Sequence, residues 1–266
     1  MKSSSFFLLL LFSLNSYSNW AQTHDPIPAH DTFNIASKMV GEMRVINVWK
    51  PPQYATDTVA LPVMYMADGG IKEDFPHIAN TMAELIAEKK IPPFILIGIE
   101  NTQRRRDLTG PTTVKSDKKV APVVGKSAEF RAFISDELFP EIAKRYRVSG
   151  KRGILGESLS GLFVVETFFL KPELFDYYIA FDPSLWWNDH ELVKKAPERL
   201  ADFPSGKYLW FASSSAEDIA PFTRELSDIV KKAGKVTWAY SHEPKEEHHT
   251  IFRATKEKAL IWTLNR

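Results

Sequence analysis

Residues 152–163 read RGILGESLSGLF, and this stretch decides how the chain is organised. A short apolar run leads to Gly156, Ser158 follows two residues later, and a second apolar run begins at Leu162. A strand that turns sharply into a helix needs small residues at the bend, because the backbone there is tight and strained. A helix N-terminus also offers unpaired N–H groups. The pattern therefore predicts that Ser158 is a nucleophile and that the Leu159 N–H stabilises an oxyanion.

The motif departs from the common G-x-S-x-G form at one position. Ser160 stands where a second glycine is usual, and Gly161 comes one residue later. A loose match of this kind occurs by chance in roughly one chain in five of this length, so the residue pattern alone is weak. Without a catalytic role, Ser158 would simply cap a helix, which serines do well. The position of the motif between a strand and a helix favours the catalytic interpretation.

Apolar runs of strand length alternate with amphipathic segments along most of the chain. Continuous apolar runs indicate strands that are buried on both faces, and the amphipathic segments indicate helices that cover the sheet. This alternation predicts a mostly parallel central sheet with helices on both faces. We expect a loop at residues 108–125 and strands at residues 33–37, 44–49, 61–67, 94–99, 152–155, 177–181, 208–212 and 236–240.

A serine hydroxyl is a poor nucleophile near neutral pH and needs a neighbouring base. In sheets of this kind, an acid and then a histidine follow the nucleophile along the chain. Glu217 and Asp218 follow the seventh expected strand, and His248 and His249 follow the eighth. Alone, each of these would be a solvated surface group, but their order after these strands predicts a Ser–acid–His triad. The residues leave the choice between Glu217 and Asp218 open, with a preference for Glu217.

Two further features concern the surroundings of the serine. The loop after the expected strand 61–67 reads Asp68-Gly69-Gly70, and glycines there let the backbone approach a substrate closely. Gly69 N–H is therefore the expected second oxyanion donor, although an ordinary turn would contain the same glycines. Trp186 and Trp187 are expected either to line the substrate pocket or to pack beneath a loop.

Longer stretches of the chain resemble a known family. They are residues 62–70 (PVMYMADGG), 98–109 (GIENTQRRRDLT), 129–148 (EFRAFISDELFPEIAKRYRV), 153–163 (GILGESLSGLF), 172–187 (PELFDYYIAFDPSLWW) and 246–251 (EEHHTI). Together they resemble the "Putative esterase" family of α/β hydrolases, which includes esterase D and the enterobactin-type siderophore esterases. Where many members read SPSLWW, this chain has DPSLWW at residues 182–187. Because the stretches occur in order over most of the chain, they are far more specific than any single motif.

The resemblance implies the α/β-hydrolase fold and a serine esterase that cleaves a small or medium carboxylic ester by a Ser–acid–His mechanism. It implies Ser158 as nucleophile and His248, rather than the neighbouring histidine, as base, with backbone donors at Leu159 and Gly69. Some members rely on a Ser–His pair with a weak or absent acid, which leaves the role of Glu217 open. No metal or organic cofactor is expected. The alternatives are an acyltransferase of the same fold and a catalytically silent binding domain.

The composition limits the class of protein further. With 266 residues and a formal net charge of +1, the chain has an ordinary globular balance and no basic bias towards nucleic acid. Lys2 and the run FFLLLLF predict a secretory signal peptide over residues 1–21, ahead of a single α/β-hydrolase domain over residues 22–266. The absence of cysteine suits a periplasmic or secreted bacterial protein. We expect a small-molecule ester as partner, and no membrane insertion once the signal is removed.

Overall fold

The computed structural model describes residues 25–120 and 123–266, so the expected signal peptide at residues 1–21 lies outside the described residues. Eight strands of the described part form one sheet. The strands are β1 (Asp31–Ala36), β2 (Met43–Trp49), β3 (Leu61–Met66), β4 (Ile95–Ile99), β5 (Val148–Glu157), β6 (Tyr177–Phe181), β7 (Tyr208–Ser213) and β8 (Thr237–His242).

The order of the strands across the sheet is β1-β2-β4-β3-β5-β6-β7-β8. The β1–β2 and β2–β4 pairs are antiparallel, whereas all pairs from β4 across to β8 are parallel. Parallel strands end at the same edge of the sheet, where ligands of such sheets usually bind. Met66 lies beside Leu155 and Glu157 lies beside Phe181 in the register of the central strands. The segments that follow β3, β5 and β6 are therefore neighbours.

Helices cover both faces of this sheet. They are α1 (Gln53–Thr56), α2 (Phe75–Ala87), α3 (Arg104–Leu108), α4 (Lys115–Val120), α5 (Ser127–Ala132), α6 (Phe139–Arg145), α7 (Leu159–Leu170), α8 (Trp187–Lys194), α9 (Ala196–Leu200), α10 (Ala220–Ala233) and α11 (Ile251–Leu264). A π-helical segment, Phe133–Leu138, joins α5 to α6. None of the described helices is both long and apolar enough to cross a membrane.

Side chains that alternate along the central strands build two separate cores. In β3, Val63 and Tyr65 belong to the core beneath α5, α6 and α7, whereas Met64 and Met66 belong to the core beneath α2 and α11. Successive side chains of a strand point to opposite faces, so a continuous apolar run fills both cores at once. The mostly parallel sheet with helices on both faces confirms the fold class expected from the sequence.

One part of the chain differs from the expectation. Residues 108–125 are not a loop throughout, because α4 lies inside them. The buried carboxylate of Asp117 explains the local order, since its Oδ2 accepts hydrogen bonds from Thr112 Oγ1 at 2.6 Å and from Asn188 N–H at 2.9 Å. Tertiary hydrogen bonds of this kind are not visible in local composition.

Candidate active site

Ser158 occupies the sharp turn between β5 and α7. Its backbone has φ 59° and ψ −119°, a left-handed conformation that a residue other than glycine rarely adopts. The turn also requires Gly156, because a Cβ at that position would lie 2.7 Å from Ser160 Cβ. The strained conformation lifts the Ser158 hydroxyl out of the strand and directs it along the edge of the sheet.

The imidazole of His248 lies against this hydroxyl. His248 follows β8 and precedes α11, and its Nε2 atom lies 3.1 Å from Ser158 Oγ. The side chain is 42% exposed, so it borders the solvent. The neighbouring His249 is exposed and has its Nδ1 3.4 Å from Glu247. The structure thus brings His248, and not His249, to the serine.

A buried carboxylate contacts the other side of the imidazole. Asp182, the first residue after β6, is fully buried, and its Oδ2 lies 2.9 Å from His248 Nδ1. Ser214 donates two hydrogen bonds to the same carboxylate, from its N–H at 2.7 Å and from its hydroxyl at 2.5 Å. Because a carboxylate can only accept, Nδ1 carries the proton and Nε2 is free to accept from Ser158.

This geometry corrects the expected acid. Glu217 and Asp218 lie in the exposed turn before α10, and Asp218 acts on His248 through its charge alone. Among the described residues, Asp182 is the carboxylate that hydrogen-bonds to His248. The reason is the strand order: β6 lies directly beside β5, so the residue after β6 emerges next to the serine turn. At the end of β7 the chain instead supplies Ser214, which holds that carboxylate.

The sequence does contain a signal for Asp182. This residue directly follows the wholly apolar strand Tyr177–Phe181 and precedes a proline. A single carboxylate at the carboxyl end of a buried parallel strand lies at the edge where ligands bind. The sequence pattern instead predicted the acid after the seventh strand, at Glu217 or Asp218.

Neighbouring groups raise the pKa of the His248 imidazole. The hydrogen bond from Nδ1 to Asp182 raises the pKa of His248 above its usual value, although partial burial acts in the opposite direction. The negative charge of Asp182 adds to the increase. The buried carboxylate therefore favours the imidazolium form of His248.

Glu157, the residue before the serine, has a strongly perturbed carboxyl group. Burial, followed by the negative charge of Asp74, raises the pKa of Glu157 to about 8. Its Oε1 atom is buried and has no hydrogen-bond partner among the described residues. Asp182 and Asp68 raise the pKa further, whereas His248 lowers it. Glu157 is therefore mainly uncharged at neutral pH.

The two expected oxyanion donors differ in whether their N–H groups are already hydrogen-bonded in the structure. Leu159 is the first residue of α7, so its N–H has no partner within the helix and remains available. Gly69 N–H, in contrast, donates to Ile99 O at 3.0 Å, which contradicts its expected role. Gly69 is required for another reason, because a Cβ there would collide with the backbone of Gly98. Gly70 N–H is also engaged, 2.7 Å from Glu73 Oε2.

Asp68, which precedes these glycines, has a conformation and contacts that link it to the serine turn. It has φ 56°, and among the described residues its N–H has no acceptor. Arg104 donates to the Asp68 carboxylate from Nε at 2.5 Å and from Nη2 at 2.9 Å. The same Nη2 lies 3.3 Å from Glu157 O. Arg104 therefore connects the segment after β3 to the residue before Ser158.

The two tryptophans differ in their surroundings. Trp187 is buried and donates from Nε1 to Gly110 O at 2.9 Å, so it packs beneath the loop that contains Gly110. It also lines a cavity of about 140 Å³, which neither Ser158 nor His248 lines. Trp186 is half-buried and contacts Trp187, with 5.8 Å between the ring centroids. These contacts agree with the expectation that Trp187 packs beneath a loop.

Comparisons with known proteins agree with this architecture. An IroE-like serine hydrolase from Shewanella oneidensis superposes with a TM-score of 0.81 over 89% of this chain and 80% of that one, at 24% identity. The enterobactin esterase FES from Shigella flexneri superposes with a TM-score of 0.72 over 91% of this chain and 60% of that one, at 16% identity. These similarities show that the fold is that of the α/β hydrolases.

Sequence comparisons identify the family. Ferri-bacillibactin esterase BesA of Bacillus subtilis (strain 168) is 33% identical over 154 residues, which are 50% of this chain and 51% of BesA. A siderophore triacetylfusarinine C esterase of Aspergillus fumigatus is 30% identical over 192 residues, 64% of this chain and 61% of that protein. The chain thus spans about half to three fifths of the length of these relatives. The family described as "Putative esterase" matches residues 37–224, and the chain belongs to this family.

Proposed function

We propose that the chain hydrolyses carboxylic esters, with Ser158 as nucleophile, His248 as general base and Asp182 as the acid of the triad. The observation that carries this proposal is a continuous line of contacts. His248 Nε2 lies 3.1 Å from Ser158 Oγ, and His248 Nδ1 lies 2.9 Å from Asp182 Oδ2. Distances of this size allow proton transfer from the serine and fix the tautomer of the imidazole.

In the first half of the reaction, Ser158 Oγ attacks the ester carbonyl while its proton passes to His248 Nε2. The negative charge of Asp182 stabilises the imidazolium. The imidazolium then donates its proton to the alkoxide that leaves, and an acyl-enzyme remains on Ser158 Oγ. In the second half, His248 takes a proton from water, and the hydroxide attacks the acyl group. The bond from Ser158 Oγ to the acyl carbon then breaks, the carboxylic acid leaves, and Ser158 Oγ takes the proton back from His248.

Two backbone N–H groups support the tetrahedral intermediates in this proposal. The Leu159 N–H lies at the N-terminus of α7, where the helix dipole also favours negative charge. Asp68 N–H replaces Gly69 N–H as the second donor, because Gly69 already donates to Ile99 O. The support for this choice is the left-handed conformation of Asp68 and its link through Arg104 to Glu157 O.

The substrate class follows from the relatives. BesA is named a ferri-bacillibactin esterase, and the Aspergillus fumigatus relative is named a triacetylfusarinine C esterase. A siderophore ester of small or medium size fits these names, and an acyl sugar or a xenobiotic ester is the alternative substrate. We further propose that residues 1–21 are a signal peptide and that residues 22–266 form one exported domain. Mass spectrometry of protein from a bacterial periplasm tests this, since an N-terminus that retains Met1 contradicts it.

Hydrolysis of a p-nitrophenyl ester tests the proposed function directly. Ser158→Ala removes the nucleophile, so turnover should fall by at least about 10³-fold, to the residual level seen without a triad serine. Ser227→Ala, a matched change at a buried serine on α10, should retain wild-type turnover. Retained turnover in Ser158→Ala would remove Ser158 from the mechanism. Product analysis with an added alcohol separates hydrolysis from acyl transfer.

A further inference from the structure

A second buried hydroxyl contacts the nucleophile. Ser184 lies in the turn after β6, two residues beyond Asp182, and is only 2% exposed. Its Oγ lies 3.4 Å from Ser158 Oγ. Within residues 25–120 and 123–266, Ser158 is the sole hydrogen-bond partner of this hydroxyl. Ser184 is thus a polar group at the reacting atom that the proposed triad does not use.

The same turn also holds the backbone of Ser158. Phe181 O accepts a hydrogen bond from Ser158 N–H at 3.0 Å, and Ser184 N–H donates to Ser158 O at 3.1 Å. The turn packs tightly against the start of α7, because a Cβ at Gly161 would lie 2.9 Å from Phe181 O and 3.1 Å from Pro183 Cα. Ser184 Oγ therefore has little freedom to move away from Ser158.

The direction of the hydrogen bond between the two hydroxyls has a consequence for catalysis. Ser158 has a single hydroxyl hydrogen, and general base catalysis needs that hydrogen to point at His248 Nε2. If Ser158 donated to Ser184 Oγ, His248 would have no proton to take. If Ser184 donates to Ser158 Oγ, the Ser158 hydrogen stays available to His248 and an oxygen lone pair remains free for attack.

We infer that Ser184 is a positioning residue that donates its hydroxyl hydrogen to Ser158 Oγ and so keeps the Ser158 hydrogen directed at His248. This inference rests on the proposed function of Ser158 as nucleophile. No proton leaves Ser184 during the reaction. The Asp182–His248 contact does not involve Ser184. Loss of the Ser184 hydroxyl should therefore slow the attack by Ser158 without changing the ionisation of His248.

The test measures attack by Ser158 in single turnovers. A fluorophosphonate probe reports the rate of covalent labelling at Ser158, and p-nitrophenyl acetate reports the burst of acylation. In Ser184→Ala both rate constants should fall roughly 3–10-fold, the range that corresponds to one net hydrogen bond. The substrate dissociation constant, taken from the saturation of the burst rate, and the acidic limb of the pH profile should stay unchanged. Ser227→Ala is the matched control and should be labelled at the wild-type rate.

Two further variants separate the hydroxyl from packing. Ser184→Cys keeps the size of the side chain but donates weakly, so it should be slow like Ser184→Ala. Ser184→Thr keeps the hydroxyl and should recover part of the lost rate. Wild-type labelling rates in both Ser184→Ala and Ser184→Cys, or a shift of the acidic limb in them, would overturn the inference. If the wild-type protein is not labelled at Ser158, the proposed function itself fails.

Discussion

Three residues of the candidate site adopt left-handed backbone conformations without being glycine. Asp68, Ser158 and Asp182 have φ values of 56°, 59° and 41°. Each of them ends or follows a central strand at the same edge of the sheet. Such conformations persist only where surrounding contacts enforce them, and they are concentrated at functional sites. The strain is therefore consistent with a catalytic role for these positions.

Asp182→Asn tests the acid of the proposed triad. An amide at this position can present its NH₂ group to His248 Nδ1 and stabilise the wrong tautomer, so kcat should fall by about 10²–10⁴-fold. Glu217→Gln is the control, because Glu217 is exposed, and it should stay within about twofold of wild type. Steady-state kinetics with one p-nitrophenyl ester compares the variants. The opposite ranking of these two variants would return the role to Glu217.

The pH profile tests the ionisation of His248. Only neutral imidazole can act as base, and Asp182 raises the pKa of His248, so activity should be lost on acidification at a pH above the ordinary histidine value of about 6.5. In Asp182→Asn the limb should move to lower pH, because the hydrogen bond and the charge that raise the pKa are gone. Profiles of kcat/KM from about pH 5 to 9 measure the acidic limb of the wild-type protein and of Asp182→Asn. Equal midpoints in the two proteins would contradict this assignment.

The raised pKa of Glu157 predicts how the stability of the protein depends on pH. Its pKa in the folded protein is about 8, whereas an unfolded chain has the ordinary glutamate value of 4.5. Between these values the unfolded state releases a proton that the folded state keeps, so stability is lost as pH rises to about 8. Glu157→Gln should therefore raise the free energy of unfolding at pH 9 by on the order of 2–4 kcal/mol.

Urea denaturation at two pH values checks this prediction for Glu157. At pH 4 both the folded and the unfolded state hold the proton, so the advantage of Glu157→Gln over wild type should disappear there. An advantage that is the same at both pH values would show that the substitution acts through packing or hydrogen bonding. In that case the charge of the carboxyl group would not be its cause.

At the scale of elements, the close approach of two glycines joins the end of β4 to the segment after β3. A Cβ on Gly98 would lie 2.6 Å from Phe75 Cδ2 and would also collide with Gly69 O. Gly69 N–H donates to Ile99 O across the same junction. Neither glycine has a left-handed φ, so both are required by space and not by backbone conformation. This contact places Asp68 at the edge of the sheet.

Gly98→Ala should therefore destabilise the protein strongly. The added methyl group must displace backbone on one side and an aromatic ring on the other, and overpacking of this kind costs about 1–3 kcal/mol or more. Gly150→Ala is the matched control, because nothing lies within 4 Å of a Cβ at Gly150. Thermal unfolding followed by circular dichroism compares the two variants. A wild-type melting temperature for Gly98→Ala would contradict the close approach.

At the scale of the whole molecule, the strand order assembles the site. Ser158 follows β5, Asp182 follows β6 and His248 follows β8, so residues far apart in sequence meet at one edge. The strand β7 lies between β6 and β8 and contributes Ser214, which holds Asp182 by two hydrogen bonds. These strands are parallel, and β6 and β7 are buried, so the site rests on the core of the sheet, as active sites of α/β proteins commonly do.

Features that depend on a local pattern could be predicted from the sequence. The turn at Ser158 has a required order of small residues, strand and helix, and the structure has that turn. The histidine could be placed because it follows the last strand, although the spacing alone did not separate His248 from its neighbour. In contrast, α4 depends on hydrogen bonds of Asp117 to residues outside it, one of them Asn188 far along the chain. Local composition carries no such information.

The sequence by itself determined the sheet and the turn that carries Ser158, because hydrophobic period and turn chemistry act over a few residues. The tertiary structure alone decided which carboxylate meets His248 and which N–H groups remain free. Asp182 follows β6 and Glu217 follows β7, and of these two strands only β6 lies beside β5, which is a property of the strand order. Likewise, Gly69 N–H is occupied because β4 passes beside it. Such pairings arise from contacts between segments distant in the chain, which a local pattern does not specify.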